Sequence, residues 1–237
     1  MRIGVLSDVH GNLVALETVL AALGTADALW VCGDTVGYGP EPSGVLALLE
    51  QRGATLVAGN HDRAVATGED LELFNDAAAA AVTMHQQWLS LSERERLAAL
   101  PRTLETSDVT LCHGSLRDPL WEYVTNARAA AASLALARTA HCCAGHTHVP
   151  VLYPGDGSRV GRLHYETPYA LGPRAFLNPG SVGQPRDGDP RAAFAVLDVA
   201  AGTITFHRAH YQIEKTQRRM EERGLPPILI ERLRYGL

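Results

Sequence analysis

An α/β fold is predicted for this chain of 237 residues by three features of its sequence. The first sixty residues alternate apolar, β-rich runs with stretches of helical period. The apolar runs end in short polar clusters of Asp, His and Asn. After Pro150 the pattern changes to short strands punctuated by Gly, Pro, Asn and Asp. A β-α-β-α-β order argues for parallel strands joined by right-handed crossovers.

Arg2 to Ser7 reads as the first strand. Asn12 to Leu23 carries Leu13, Leu16, Leu20 and Leu23 on one helical stripe. Ala28 to Cys32 is the second strand and ends at Gly33-Asp34. Pro42 to Gln51 is a helix with Val45, Leu46, Leu48 and Leu49 on its apolar side. Thr55 to Ala58 is a third strand, ending at Gly59-Asn60. Within 63–107 the spacing predicts helices over Asp76–Leu89 and Ser92–Leu100, each behind a plausible N-cap. Strand character returns at Val109–Cys112 and Ala140–Cys143, with a helix over Asn126–Ala137 between them. Hairpin chemistry then predicts strands at Val151–Tyr153, Arg162–Glu166, Ala175–Leu177, Ala193–Val199 and Thr203–Arg208. A charged helix spans Ile213–Arg223, Gly224 closes it, and Pro226-Pro227 precedes a last short helix.

Composition removes several function classes. Apolar residues make up 46% and charged residues 20%, as in an ordinary folded protein rather than a disordered one. The net charge of −5 disfavours general nucleic-acid binding and anionic membranes. Lys215 is the only lysine, and no glycine precedes it in Ile213-Glu214-Lys215-Thr216, so a P-loop is absent. Schiff-base chemistry would fall to that one lysine in a charged segment. No apolar stretch approaches the ~20 residues that span a bilayer, and the apolar run Ile3 to Leu6 is too short to be expected as a signal h-region. Cys32, Cys112, Cys142 and Cys143 sit in apolar strands without C-x-x-C spacing, which fits buried thiols in a reducing cytoplasm.

The polar clusters carry the chemistry. They are Asp8-Val9-His10, Gly33-Asp34, Gly59-Asn60-His61-Asp62, His113-Gly114 and Gly145-His146-Thr147-His148, and they hold five of the ten histidines. In open α/β sheets, sites form at the carboxyl ends of strands. On an extended chain, positions i and i+2 point the same way, which makes Asp8/His10 and His146/His148 natural chelating pairs. The donors are imidazole, carboxylate and amide, suited to Mn²⁺, Fe, Zn²⁺, Ni²⁺ or Co²⁺. Two divalent ions with Asp8 and Asp34 would leave a core of about +2 that attracts phosphate, and a pair of ions ~3.5–4 Å apart can clamp an in-line displacement.

These elements, in this order, resemble the calcineurin-like metallophosphoesterase pattern D-x-H, G-D, G-N-H-[DE], H, G-H-x-H. Two further stretches, Gly33 to Pro40 and Asn178 to Arg186, resemble a small bacterial and archaeal phosphodiesterase-like branch. The resemblance covers the whole chain and implies a four-layer α-β-β-α sandwich with two mixed sheets. It implies one domain over 1–237, with helical inserts at 63–107 and 116–135 and a helical tail at 212–237. It implies two divalent metal ions, manganese first among the candidates. Asp8, His10, Asp34 and His148 would hold one, and Asp34, Asn60, His113 and His146 the other, with Asp34 bridging. His61 would face the substrate as general acid, and a water bridging the ions would attack phosphorus. Tyr38, Tyr123 and Arg186 are candidate substrate contacts. The expected partner is a small phosphoester, with no membrane, and a homo-oligomer is allowed.

One departure bears on the substrate. Protein phosphatases of this superfamily read G-D-x-x-D-R-G, and their second aspartate orients the catalytic histidine. Here that position is Gly37. Asp62 adjoins His61, but neighbours on a strand point oppositely, so it is not expected to substitute. Small phosphodiesters or nucleotides are therefore expected ahead of phosphoproteins. Serine/threonine protein phosphatase and dinucleoside polyphosphate hydrolase are the alternatives. A non-catalytic protein-binding scaffold is the rival from another class, and retention of every metal and acid residue opposes it. A metallo-β-lactamase-like hydrolase would want H-x-H-x-D-H, whereas Val149-Pro150 follow His148. His85, His141, His164, His207 and His210 read as structural or exposed.

Overall fold

The computed structural model describes residues 1–237. Its elements in order are β1 (Arg2–Leu6), α1 (Leu13–Leu23), β2 (Ala28–Val31), α2 (Pro42–Gln51), β3 (Thr55–Leu56), α3 (Asn60–Thr67), α4 (Asp76–Trp88), α5 (Leu91–Ala98), β4 (Thr103–Glu105), β5 (Val109–Cys112), α6 (Ala127–Leu134), β6 (His141–Cys143), β7 (Val151–Pro154), β8 (Pro168–Ala170), β9 (Ala175–Asn178), β10 (Ala192–Asp198), β11 (Thr203–Ala209), α7 (Ile213–Glu222) and α8 (Pro227–Glu231). One mixed sheet has the order β3-β2-β1-β10-β11-β8, and the second has β4-β5-β6-β9-β7. β1, β2 and β3 run parallel, as do β5, β6 and β9. β10 pairs antiparallel with β1, placing Ile3 opposite Leu197 and Val5 opposite Ala195.

Strand alternation builds the layers. Ile3, Val5, Ala195 and Leu197 of the first sheet meet Val109, Leu111, Ala175 and Leu177 of the second in a buried inter-sheet core. The alternate residues Leu6, Phe194 and Val196 face outward onto α1 and α2. Cys112, Cys142 and Phe176 likewise face α6. A period of two places each second side chain on the opposite face, so both sheets are covered on both sides. This is the α-β-β-α sandwich that the resemblance implies.

Local chemistry fixes the helix starts. Asn12, Asn75, Ser90 and Asn126 each accept a backbone N–H from the first turn of α1, α4, α5 and α6. Three expectations change. Arg162–Glu166 is not a strand; the pairing falls at Pro168–Ala170, on the sheet edge beside β11, where proline is tolerated. Thr103–Glu105 adds an edge strand antiparallel to β5. Most important for the site, the chain after Gly59 turns into helix α3 and does not stay extended. Asp62, three residues past the Gly59 N-cap, accepts the Gly59 N–H at 3.0 Å, and left-handed Gly68 ends the helix.

Candidate metal centre

The five polar clusters converge where the parallel strands of both sheets end. Asp8, His10, Asp34, Asn60, His61, His113, His146 and His148 are all at most 4% exposed. The backbone there is not the extended chain assumed from the i, i+2 spacing. Asp8, His10, Asp34, Tyr38, His146 and His148 all have positive φ, between 50° and 68°. The only other non-glycine residues with positive φ are Asp70 and Glu166. A non-glycine residue held in this region costs about 1–3 kcal/mol, and such residues concentrate at functional sites. Cross-strand bonds impose the conformation: Asp8 N–H donates to Gly33 O, and His10 N–H to Asp34 O.

Two groups of potential ligand atoms result. Asp8, His10 and His148 form one, and Asp34, His113 and His146 form the other. His146 and His148 thus separate into different groups and do not chelate as a pair. A third grouping joins His10 and Asp34 with His61. Asp34 Oδ2 is 3.6 Å from His10 Nε2 and 3.3 Å from His113 Nε2, so one oxygen is within reach of both groups. Its Oδ1 accepts the His61 N–H at 2.9 Å, which fixes the carboxylate. Asn60 Oδ1 lies 3.0 Å from His113 Nε2.

Each of the four ligand-type histidines spends one ring N–H on a backbone carbonyl. His10 Nδ1 donates to Val36 O at 3.0 Å, and His113 Nδ1 to Cys32 O at 2.8 Å. His148 Nδ1 donates to Gln184 O at 2.5 Å, and His146 Nε2 to Trp121 O at 3.1 Å. This fixes the tautomers and aims the other nitrogens inward, the outer-shell arrangement of metal-ligating histidines. His10 Nε2 and His148 Nε2 stand 3.1 Å apart. Burial, reinforced by neighbouring positive groups, keeps both rings neutral, with His148 pushed down to about 4. Two lone pairs therefore face each other at 3.1 Å, an arrangement that repels unless a cation binds both. His113 Nε2 and His146 Nδ1 face each other at 3.0 Å. Burial disfavours a charged His113, but the carboxylates of Asp34 and Asp8 outweigh it and push its pKa up to about 9. The carboxylates beside these ring nitrogens favour positive charge here. The donor set thus fits two divalent cations.

A model of the calcineurin-like phosphoesterase superfamily domain matches residues 1–202. The chain belongs to this superfamily. It is similar to a metallophosphoesterase from Sphaerobacter thermophilus, at 40% identity and a TM-score of 0.91, with all of both chains covered. An uncharacterized protein of Methanocaldococcus jannaschii is 31% identical over 242 residues, spanning 99% of this chain and 98% of that protein. A 60-residue segment is 42% identical to a symmetrical bis(5′-nucleosyl)-tetraphosphatase of Pectobacterium atrosepticum, over 23% of this chain and 21% of that protein. The protein is thus a metallophosphoesterase, a metal-binding hydrolase. No helix is long and apolar enough to cross a membrane.

The pocket of this phosphoesterase is small, about 70 Å³, and Asp34, Asn60, His61, His146 and His148 open onto it. Tyr38, Tyr123 and Arg186 line it too. A larger apolar cavity of about 250 Å³ lies elsewhere, under Leu46, Leu49 and Leu97, and holds none of the site residues. Arg186 lies over the Tyr38 ring, 5.7 Å from its centroid, and donates to Gln184 Oε1 at 2.8 Å. Burial first, then Arg186 and the other histidines, hold the His61 pKa well below its ordinary value. His61 Nδ1 has no partner and packs against Gly37, where a Cβ would collide with it.

Three contributors escaped the sequence reading. Asp62 does not orient His61. Its Oδ1 accepts the N–H groups of Thr35 and Val36 at 2.8 and 3.1 Å and the Thr35 hydroxyl at 2.7 Å, so it ties α3 to the Asp34 loop. The capping spacing from Gly59 to Asp62 was the available signal. His85 of α4 is fully buried and holds both flanks of Tyr38. It accepts the Gly37 N–H at Nδ1, 3.0 Å, and donates Nε2–H to Gly39 O, 2.7 Å. The Asn178–Arg186 segment, readable as simple turn chemistry, braces the site. Ser181 Oγ donates to Asp8 O, and the Gly183 N–H bonds the same carbonyl.

Proposed function

We propose that this metallophosphoesterase hydrolyses small phosphodiesters or nucleotides, using two divalent metal ions with manganese first. Asp8, His10, Asp34 and His148 hold one ion. Asp34, Asn60, His113 and His146 hold the other. The observation that carries the ligand assignment is the pair of opposed imidazoles, each with its remaining nitrogen bonded to a carbonyl, around an Asp34 oxygen that reaches both groups. Bound there, the ions acidify water and stabilise charge on a phosphoryl group.

The protein's own groups do the rest. Arg186, held by Gln184 and Tyr38, offers a fixed cation to non-bridging phosphate oxygens. His61, kept neutral chiefly by burial and then by Arg186 and the other histidines, lines the pocket and delivers a proton to the departing oxygen once an anionic ester beside it favours its protonated form. Asp34 fixes the histidine through its backbone N–H. Phe74, packed against His61, and Trp121 restrict entry of water beside it.

Two observations support small substrates over phosphoproteins. The pocket is walled by Phe74 and Asn75 of one insert and Trp121 and Tyr123 of another, which crowd the approach of a protein surface. The aspartate that holds the histidine in protein phosphatases is Gly37 here, and His61 fills the space its side chain would need. The short likeness to a symmetrical bis(5′-nucleosyl)-tetraphosphatase favours dinucleoside polyphosphates as the second reading. The test compares kcat/KM for bis-p-nitrophenyl phosphate, p-nitrophenyl phosphate, a dinucleoside tetraphosphate and a phosphoserine peptide with the same metal. A diester or dinucleotide should lead. A phosphopeptide winning by about tenfold, the equivalent of ~1.4 kcal/mol, would return the protein-phosphatase reading.

A further inference from the structure

Beside the metal centre, one wall of the pocket is aromatic. Tyr123 stacks on His146 with ring centroids 3.9 Å apart and planes 20° from parallel. One face of Tyr123 is thereby taken, yet the residue remains 51% exposed. Phe74 meets His61 edge-on at 4.7 Å, and Trp121 meets Phe74 at 5.0 Å. Two aromatic tracks therefore start at the site histidines and run outward, one from His146 and one from His61. Arg186 is the cation lining the same pocket.

The segment bearing Trp121 and Tyr123 is pre-ordered. Asp118 Oδ1 accepts the N–H groups of Leu120 and Trp121, both at 3.2 Å. The Glu122 carboxylate accepts from Ser115 Oγ and from Arg117. Gly114 lets the chain close this tightly: a Cβ there would lie 2.7 Å from Asp118 O and 3.0 Å from Glu122 N. The Trp121 carbonyl in turn holds His146. A rigid aromatic surface loses little conformational freedom when a ligand settles on it.

Pocket size then limits where the rest of a substrate can go. The pocket beside the ligand groups, about 70 Å³, is smaller than a whole nucleotide. The remainder must lie on the bordering surface, whose accessible part includes the open side of Tyr123. Planar heterocycles stack on such faces with little regard to base identity, because every base has a π-face.

We propose that Tyr123 and Trp121 form a base-stacking subsite, so that the phosphoester this centre takes carries a nucleobase. This deepens the phosphodiester and nucleotide reading and rests on it. The ester oxygen joined to the nucleoside 5′ carbon lies toward Tyr123 on the His146 side, and the departing oxygen lies toward His61.

The test uses the full-length, manganese-loaded protein and two diesters that share a scissile bond and leaving group. Thymidine 5′-(p-nitrophenyl phosphate) is compared with methyl p-nitrophenyl phosphate. The wild type should prefer the nucleoside ester in kcat/KM. Tyr123→Ala and Trp121→Ala should each lower that ratio by roughly five- to 150-fold, the range for loss of one base stack, while Tyr123→Phe retains most of it. A second readout needs neither turnover nor variants: binding of AMP against ribose 5-phosphate by calorimetry. AMP should bind at least fivefold more tightly. Equal affinity, or a ratio untouched in both alanine variants, overturns the subsite. Hydrolysis of both diesters without preference overturns it while leaving the phosphodiesterase reading intact. No hydrolysis of either diester, with tighter AMP binding, overturns that reading and leaves the subsite standing.

Discussion

His85 is the buried group whose perturbation says most about how the helical insert supports the site. It is 0% exposed and bonds the backbone on both sides of Tyr38. Burial pushes its pKa from 6.5 down to about 4. In His85→Leu, the Gly37 N–H and the Gly39 carbonyl lose these partners, at about 1–3 kcal/mol for each group left buried and unpaired. The leucine recovers part of that through apolar burial, so a net loss of about 2–4 kcal/mol is expected at pH 7.5. The loss should shrink in acid. The unfolded chain takes up a proton near pH 6.5 that the folded chain refuses until about pH 4. The contribution of His85 is thus complete above pH 6.5 and falls as pH drops toward 4. That gap is worth about 3 kcal/mol. Urea unfolding of metal-free wild type and variant at pH 7.5, 6.0, 5.0 and 4.5 measures the difference directly. It should be widest at pH 7.5 and narrow steadily. A constant difference across that range, or a variant as stable as wild type at pH 7.5, would refute the assigned bonding. Because Tyr38 packs on His61 at 4.4 Å and on His10 at 4.5 Å, kcat should fall in the same variant.

His61→Ala should keep both metals and lose roughly 10²–10⁴ in rate on esters with a poor leaving group; nitrophenyl esters, which need less protonation, should lose less, and loss of metal instead would sink its role. Gly37→Ala sets a Cβ against His61 Nδ1 at a φ of +88°, so kcat should drop and stability should fall by about 1–3 kcal/mol; an unchanged kcat would show that the His61 position is not critical. Arg186→Gln should raise KM for phosphoesters about tenfold or more, as expected for loss of a charge-assisted phosphate contact, whereas an unchanged KM with elemental analysis still showing metal would remove it from the site.

Much of the architecture was legible because local and global signals agree. The parallel strands end at motif residues, and the helices between them carry caps and apolar stripes. The ligand set was readable as well, since seven metal-type residues in order after strands is a specific pattern. Its local geometry was not. The spacing of Asp8 and His10 suggested an extended chain, yet hydrogen bonds from the neighbouring strand force both into left-handed backbone that no local propensity encodes. Helix α3 was hidden because Gly-Asn reads first as turn chemistry, and only the Asp62 cap betrays it. Contacts between distant residues leave no local trace. His85 meets Gly37 across 48 positions, and Trp121 meets Phe74 from a different insert. The tail shows the same limit. The charged tail reads as a solvated face, yet its Met220, Leu229 and Leu233 pack with Tyr38 in one buried cluster.

The central claim is a dinuclear metal centre bridged by Asp34, and metal stoichiometry tests it most directly. Protein stripped with chelator and reconstituted with Mn²⁺ should bind about two ions per chain, the arrangement that lets paired metals clamp a phosphoryl group. Asp34→Asn should lose occupancy at both positions together, because one oxygen serves both groups. His148→Ala should lose chiefly the ion it shares with Asp8 and His10. Elemental analysis of the three proteins after gel filtration gives the answer. Two ions in the wild type, with Asp34→Asn depleted more than His148→Ala, is the predicted result. At most one ion in the wild type, or an Asp34→Asn protein that still holds two, would contradict the bridged centre.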